Sequence, residues 1–287
     1  MRALFGCGVG FITPIAPGMI ADYYAGDEIK AMMGYQNASV SIGGIVTTVA
    51  AGYLCTAGWR YSFLIYLLGT LIMAYTFSVF RRGEPPSKRG GEEGTFMPNR
   101  DLSRLTIVMC GYGMLLCAFY SNVAMVVADR GIGDSALSGL IVITMNFGGL
   151  ASSALYFQIS RRLKGYAVAF AVGLTAVGFA LLGRCSSAAA FFAGSAFIGI
   201  GFGIISSEAL VVANAWSPRA TTMAVSVYMS GVNLGGFLSP FIMGSVAGAI
   251  GGPRSRTILQ ISAVASLTAF AICVATARRK NRLVGLR

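Results

Sequence analysis

Apolar stretches of about 18 to 25 residues recur along almost the whole chain, and this recurrence limits the fold more than any other feature. They lie near 3–22, 35–56, 61–80, 104–128, 136–159, 166–183, 189–213, 221–249 and 257–277. At a helical rise of about 1.5 Å per residue, each can cross a hydrocarbon core of about 30 Å, with 166–183 at the short limit. Strands of a membrane barrel would instead alternate in polarity over about ten residues, a pattern the sequence lacks. Of 287 residues, 55% are apolar and only 11% charged, which is too little polar surface for a water-soluble domain. The expected fold is an all-α polytopic membrane protein with about nine transmembrane helices.

The net charge of +12 comes from 22 Lys and Arg against 10 Asp and Glu. The basic residues sit in short segments between apolar runs, where such residues set orientation. They form no face interleaved with stacking aromatics, which argues against nucleic acid as a partner. The chain contains no His, which removes His-based metal sites, Ser/His/Asp triads and Cys/His dyads together. No GxxxxGK[ST] phosphate loop occurs, so ATP-driven pumping is not expected. Cys7, Cys55, Cys110, Cys117, Cys185 and Cys273 lie mostly within apolar runs, without CxxC spacing or a basic neighbour, and read as small packing residues. Neither an enzyme nor a metal or cofactor site is expected.

The one sizeable polar connection runs over 81–103, from Arg81-Arg82-Gly83-Glu84-Pro85-Pro86 to Arg100-Asp101. It divides the chain into a helical part at 1–80 and a six-helix part at 104–277, followed by a basic tail at 278–287. Counted on alternate sides of the spans, 16 Lys and Arg share the side of this linker and tail, against 6 on the other. By the positive-inside rule the linker and C-terminus are cytoplasmic, and a bacterial inner membrane is the expected location. The first apolar run starts at once, with no basic n-region or cleavage pattern of a secretory signal.

The chain also repeats itself. Leu4-Phe5-Gly6-Cys7-Gly8-Val9-Gly10 matches Phe197-Ile198-Gly199-Ile200-Gly201-Phe202-Gly203, Ser41-Ile42-Gly43-Gly44 matches Asn233-Leu234-Gly235-Gly236, and Gly52 falls opposite Gly244. A displacement of about 192 residues between helical pairs is the mark of parallel repeats found in secondary transporters.

These residues carry a resemblance to the major facilitator superfamily, from the family's fourth helix to its twelfth. Arg2 before Gly6, Gly8 and Gly10 is similar to its fourth-helix signature, and Gly58-Trp59-Arg60 with Phe63 looks like the turn before its sixth helix. Ser160-Arg161-Arg162-Leu163-Lys164-Gly165 resembles its basic loop between the eighth and ninth helices, without the acidic residue often found there. Asn233-Leu234-Gly235-Gly236 with Pro240 resembles its eleventh helix. The stretch Gly43 to Gly52 lacks the Gly-Pro pair that the family's antiporters often carry. The resemblance implies secondary active transport of a small solute by rocking two bundles about a midplane site, coupled to protons, without a cofactor. It also implies that three helices of the family's first half would precede Met1. The rival expectation is a truncated, non-transporting remnant or scaffold that needs a partner for those helices.

Candidate residues follow from the cost of polarity in lipid. Glu208 is the acid clearly inside a predicted span, where it either carries a coupling proton, faces an inner vestibule or pairs with a basic loop. Asn122, Tyr120, Asn146 and Asn233, in helices of the second half, are candidates for the substrate path, although helix–helix hydrogen bonds satisfy such groups equally well. Gln36 and Asn37 are polar in the second span. Arg2 matches the buried Arg that the resemblance links to proton coupling. The pairs Gly6/Gly10, Gly199/Gly203 and Gly231/Gly235 are expected to let helices pack closely or slide, and Pro14 and Pro17 to bend the first helix.

Overall fold

The computed structural model describes residues 8, 11–24, 27–80, 100–216, 221–251 and 254–284, and every described element is helical. Ten α-helices follow in order: α1 (Ile15–Tyr23), α2 (Asp27–Ala57), α3 (Tyr66–Phe80), α4 (Arg100–Asp129), α5 (Ser135–Ala154), α6 (Tyr156–Leu163), α7 (Ala167–Arg184), α8 (Ala188–Trp216), α9 (Thr221–Ile250) and α10 (Arg254–Val284). Short 3-10 segments at Trp59–Ile65 and Lys164–Tyr166 precede α3 and α7.

Among the described residues, six helices are long and apolar enough to cross a membrane, against the nine expected. The shortfall has three local causes. The expected first span reaches into residues outside the described set, including Arg2, Gly6 and Gly10. The second lies within α2, a 31-residue helix in which Gln36, Asn37, Ser39, Ser41, Thr47 and Thr48 dilute the apolar content. The third is shortened to Phe63–Ser78, because Gly58 at φ 145° opens a 3-10 turn where a helix was expected to start. Pro14 does interrupt the first span: residues 13–14 form a turn, and α1 restarts with Pro17 in its first turn, where a missing N–H costs nothing.

Helices α4 to α10 pack as one bundle. Its broadest seams pair α4 with α9, α5 with α8, α8 with α7, and α7 with α10. Fully buried Phe119, Val126, Ile141, Phe179, Leu182 and Ile204 fill the centre. The turn from α4 to α5 is tightly specified. Gly131 takes φ 61° and the amides of Gly131 and Ile132 return to the carbonyls of Ala128 and Val127, while the Asp134 carboxylate caps the α5 Leu137 amide at 3.1 Å.

Small residues set the seam distances. A Cβ on Gly235 would strike the Cys110 carbonyl, one on Gly231 would sit 2.7 Å from the Thr106 carbonyl oxygen, and one on Gly199 would strike the Met145 carbonyl. These helices are in backbone contact, which is how helices gain packing energy in a solvent as apolar as their own side chains. The matched glycines of the repeat do not make matching contacts: Gly43 meets nothing within 4 Å and Gly44 only the Asn146 side chain.

Candidate functional site

Helix α2 packs across the α5/α8 seam, where Asn37, Ser41, Ser152, Ser153, Ser207 and Glu208 lie close together. On α8, Gly199, Gly203 and Ser207 recur every fourth residue and so share one face. The two glycines bring that face onto α5, where a Cβ on Gly203 would lie 2.5 Å from the Gly149 carbonyl oxygen. Ser207 continues the stripe with no solvent exposure, and its Oγ accepts a 3.1 Å hydrogen bond from Asn37 Nδ2 of α2. One turn earlier on α2, a Cβ on Gly34 would stand 2.6 Å from the Ser153 carbonyl oxygen and 3.4 Å from Tyr156 Cβ. Only glycine lets the two backbones approach this far.

That approach falls at the break between α5 and α6. The Ser152 hydroxyl donates to the Gly149 carbonyl within its own helix at 3.1 Å, and at Leu155 the backbone departs from helical values, with φ −92° and ψ 4°. Tyr156 follows and faces inward. Its ring is fully buried and its hydroxyl donates a short hydrogen bond to Glu208 Oε2, from the α8 residue next to Ser207. Glu208 is half-buried. Buried Gln36 Oε1 and Ser153 Oγ have no hydrogen-bond partner among the described residues. Unmet polar atoms in a buried seam are places for water or a polar solute, since leaving them bare costs about 1–3 kcal/mol each.

The seam has a direction. Helix α1 meets the bundle at Gly18, against the Thr222 side chain of α9, and α2 meets α5, α6 and α8 from Gly34 and Asn37 as far along as Ser41 and Gly44. Towards the other end of α2, Val46, Val49 and Tyr53 are exposed. The Gly34 end of the seam is that of Asp27, Arg161 and Trp216.

Among the expected candidates, Glu208 lies in this seam, and Asn146 borders it, its Oδ1 3.7 Å from where a Cβ on Gly44 would stand. Asn122 is buried but donates to its own helix at the Ala118 carbonyl, 2.9 Å away. Tyr120 is half-exposed and stacks edge-on against Phe119, with ring centroids 5.5 Å apart. Asn233 is exposed on α9, away from the face that Gly231 and Gly235 press on α4. Arg2, Gly6 and Gly10 lie outside the described residues. Tyr156, Ser207, Ser153 and Gly34 were not singled out from sequence. The available signal was the four-residue stripe Gly199, Gly203, Ser207 running directly into Glu208.

A family model described as Major Facilitator Superfamily matches residues 1–213, almost three quarters of the chain. The chain belongs to the major facilitator superfamily. The match covers α1 to most of α8, so it contains both sides of the α2/α5/α8 seam. As a superfamily member with a bundle of apolar helices, the chain is an integral membrane transporter, and small molecules are its substrate class. A comparison with curated proteins found no match.

Proposed function

We propose that this superfamily member is a proton-coupled secondary transporter of a small solute, working by alternating access, with Glu208 as the proton carrier and its C-terminus in the cytoplasm. The observation that supports this best is the adjacency of Glu208 and Ser207: one residue holds a titratable group and its neighbour holds the bond to α2. An ionised carboxylate accepts the Tyr156 hydroxyl as a charge-assisted bond, and a protonated one holds it about half as strongly. Tyr156 is part of the surface that Gly34 of α2 packs on: a Cβ there would lie 3.4 Å from Tyr156 Cβ, with only the Ser153 carbonyl oxygen nearer. Protonation therefore loosens the surface that α2 packs on, and the end of the seam near Arg161 opens. Deprotonation restores the bond and closes it. Asn37, Gln36, Ser153 and Asn146 supply amide and hydroxyl groups for a polar solute along the same seam.

The test uses inside-out membrane vesicles holding the full chain and a pH-sensitive dye, with solutes of different classes added one at a time. At least one solute should evoke proton movement that Glu208→Gln removes. Solute flux that ignores an imposed pH gradient and survives Glu208→Gln would overturn the proposal.

A further inference from the structure

On one flank of the bundle, α7 and α10 enclose an open groove of about 790 Å³, none of whose lining residues belongs to the Glu208 seam. Its walls are apolar: Phe170, Val177, Ala180, Val264, Leu267 and Phe270. Most of these are exposed, so the groove opens sideways to the lipid. The two helices run antiparallel along it. At one end a Cβ on Gly173 would touch the Phe270 ring at 3.0 Å, and at the other Gln260 Nε2 donates to the Gly183 carbonyl at 3.4 Å. Ten residues separate these levels on each helix, about 15 Å at helical rise and half of a hydrocarbon core of about 30 Å. These two levels are one leaflet apart, and Phe170 extends the wall by about one further turn.

Its polar end is cationic. Arg184 lines it, exposed, and Arg256 lies one turn before Gln260 on the same side of α10, also exposed. Among the described residues neither forms an ion pair. Arg130 joins them from the α4/α5 turn, with Nη2 3.0 Å from the Gly183 carbonyl oxygen, Nη1 bonded to the Cys185 carbonyl, and its guanidinium 5.6 Å from the Phe191 ring centroid. Burial, and after it the charge of Arg256, pulls the Arg130 guanidinium below its ordinary pKa. Asp129, the residue before Arg130, accepts the Ser255 hydroxyl at 2.7 Å, and its single negative charge leaves the three arginines in excess. Arg184 on the groove, with Arg256 and Arg130 beside its Gly183–Gln260 end, makes that end positive, which is the charge an anionic headgroup complements.

We propose that the α7/α10 groove binds an anionic phospholipid, with an acyl chain along Phe170, Val177, Val264 and Leu267 and the phosphate held by Arg184 and Arg256. The two arginines offer forked N–H donors that match phosphate oxygens, and Gln260 adds an amide at the glycerol level. The site is independent of the proton-coupling seam.

The experiment is native mass spectrometry of the purified full chain, equilibrated with mixed phosphatidylglycerol and phosphatidylcholine. The wild-type chain should retain phosphatidylglycerol in preference to phosphatidylcholine. Arg184→Gln/Arg256→Gln should lower that preference about tenfold or more, and Arg184→Lys/Arg256→Lys should restore part of it. Leu267→Trp, which fills the groove and leaves the charges, should reduce retention of both lipids. Inorganic phosphate should not displace the lipid, because it lacks the acyl chain. Equal retention of the two lipids by the wild type, unchanged preference in the double Gln variant, or displacement by inorganic phosphate would each overturn the proposal.

Discussion

Replacing Gly199 and Gly43 by Ala tests whether the α5/α8 seam is set by backbone contact. A Cβ on Gly199 would collide with the Met145 carbonyl oxygen and stand 2.8 Å from its carbon and 3.0 Å from its Cα, where ordinary contact is 3.4–4 Å. The obstructing atoms are backbone, so no side chain can swing aside and the helices must part. Such overpacking costs about 1–3 kcal/mol. Gly43 on α2 meets nothing within 4 Å, so Ala there suffers no clash. Both substitutions gain the same helix propensity, up to about 1 kcal/mol, which cancels in the comparison. Gly199→Ala should therefore be less stable than Gly43→Ala by about 1–3 kcal/mol, or roughly 2–12 °C in unfolding midpoint for a chain of this size. The assay is thermal unfolding of detergent-purified protein followed with a thiol-reactive dye. Equal shifts for the two variants would refute the reasoning, because close backbone approach at Gly199 would then carry no energetic weight.

Three further outcomes follow from other contacts. Asn37→Ala, Ser207→Ala and their combination should show a coupling of about 0.5–1.5 kcal/mol in unfolding experiments, the worth of one neutral hydrogen bond, and strict additivity would mean that the α2 contact does not form. Tyr156→Phe should weaken solute-evoked proton movement without abolishing it, since the carboxyl of Glu208 remains; a wild-type response over the full pH range would remove Tyr156 from the account. Arg130→Ala should fray the end of α7 by uncapping the Gly183 and Cys185 carbonyls, visible as faster amide hydrogen exchange near 181–185 while the middle of α8 stays protected.

The helical bundle after residue 100 was legible because each span repeats the same signal, length and apolarity, and nothing tertiary needs to override it. The second span was less so: in α2, Asn37 and Ser41 face the seam while exposed Ser39 and Thr47 bond back to their own helix, and a hydropathy reading registers only the dilution. The break at Leu155 was hidden inside one apolar run at 136–159. Glu208 could be found as an isolated acid in an apolar span. Its partner could not, because Tyr156 lies 52 residues away and is one of 12 tyrosines with nothing local to distinguish it. The Asn37 to Ser207 bond spans 170 residues and joins the two parts of the chain, so only the packed structure reveals it. The glycine repeat marked helices that pack closely in its second copy, at Gly199, Gly203 and Gly235, whereas Gly43 stands free. Sequence similarity between the copies records ancestry of the helices and not identity of their contacts.

The central claim, that protonation of Glu208 loosens the α2 contact, is tested most directly by the reactivity of a cysteine at position 207 in an otherwise cysteine-free chain. Ser207 is fully buried under α2, so a membrane-impermeant maleimide should label Ser207→Cys slowly in inside-out vesicles at neutral pH. Labelling should accelerate as the pH falls, and adding Glu208→Gln should make it fast at every pH. A labelling rate that is independent of pH and unchanged by Glu208→Gln would contradict the account.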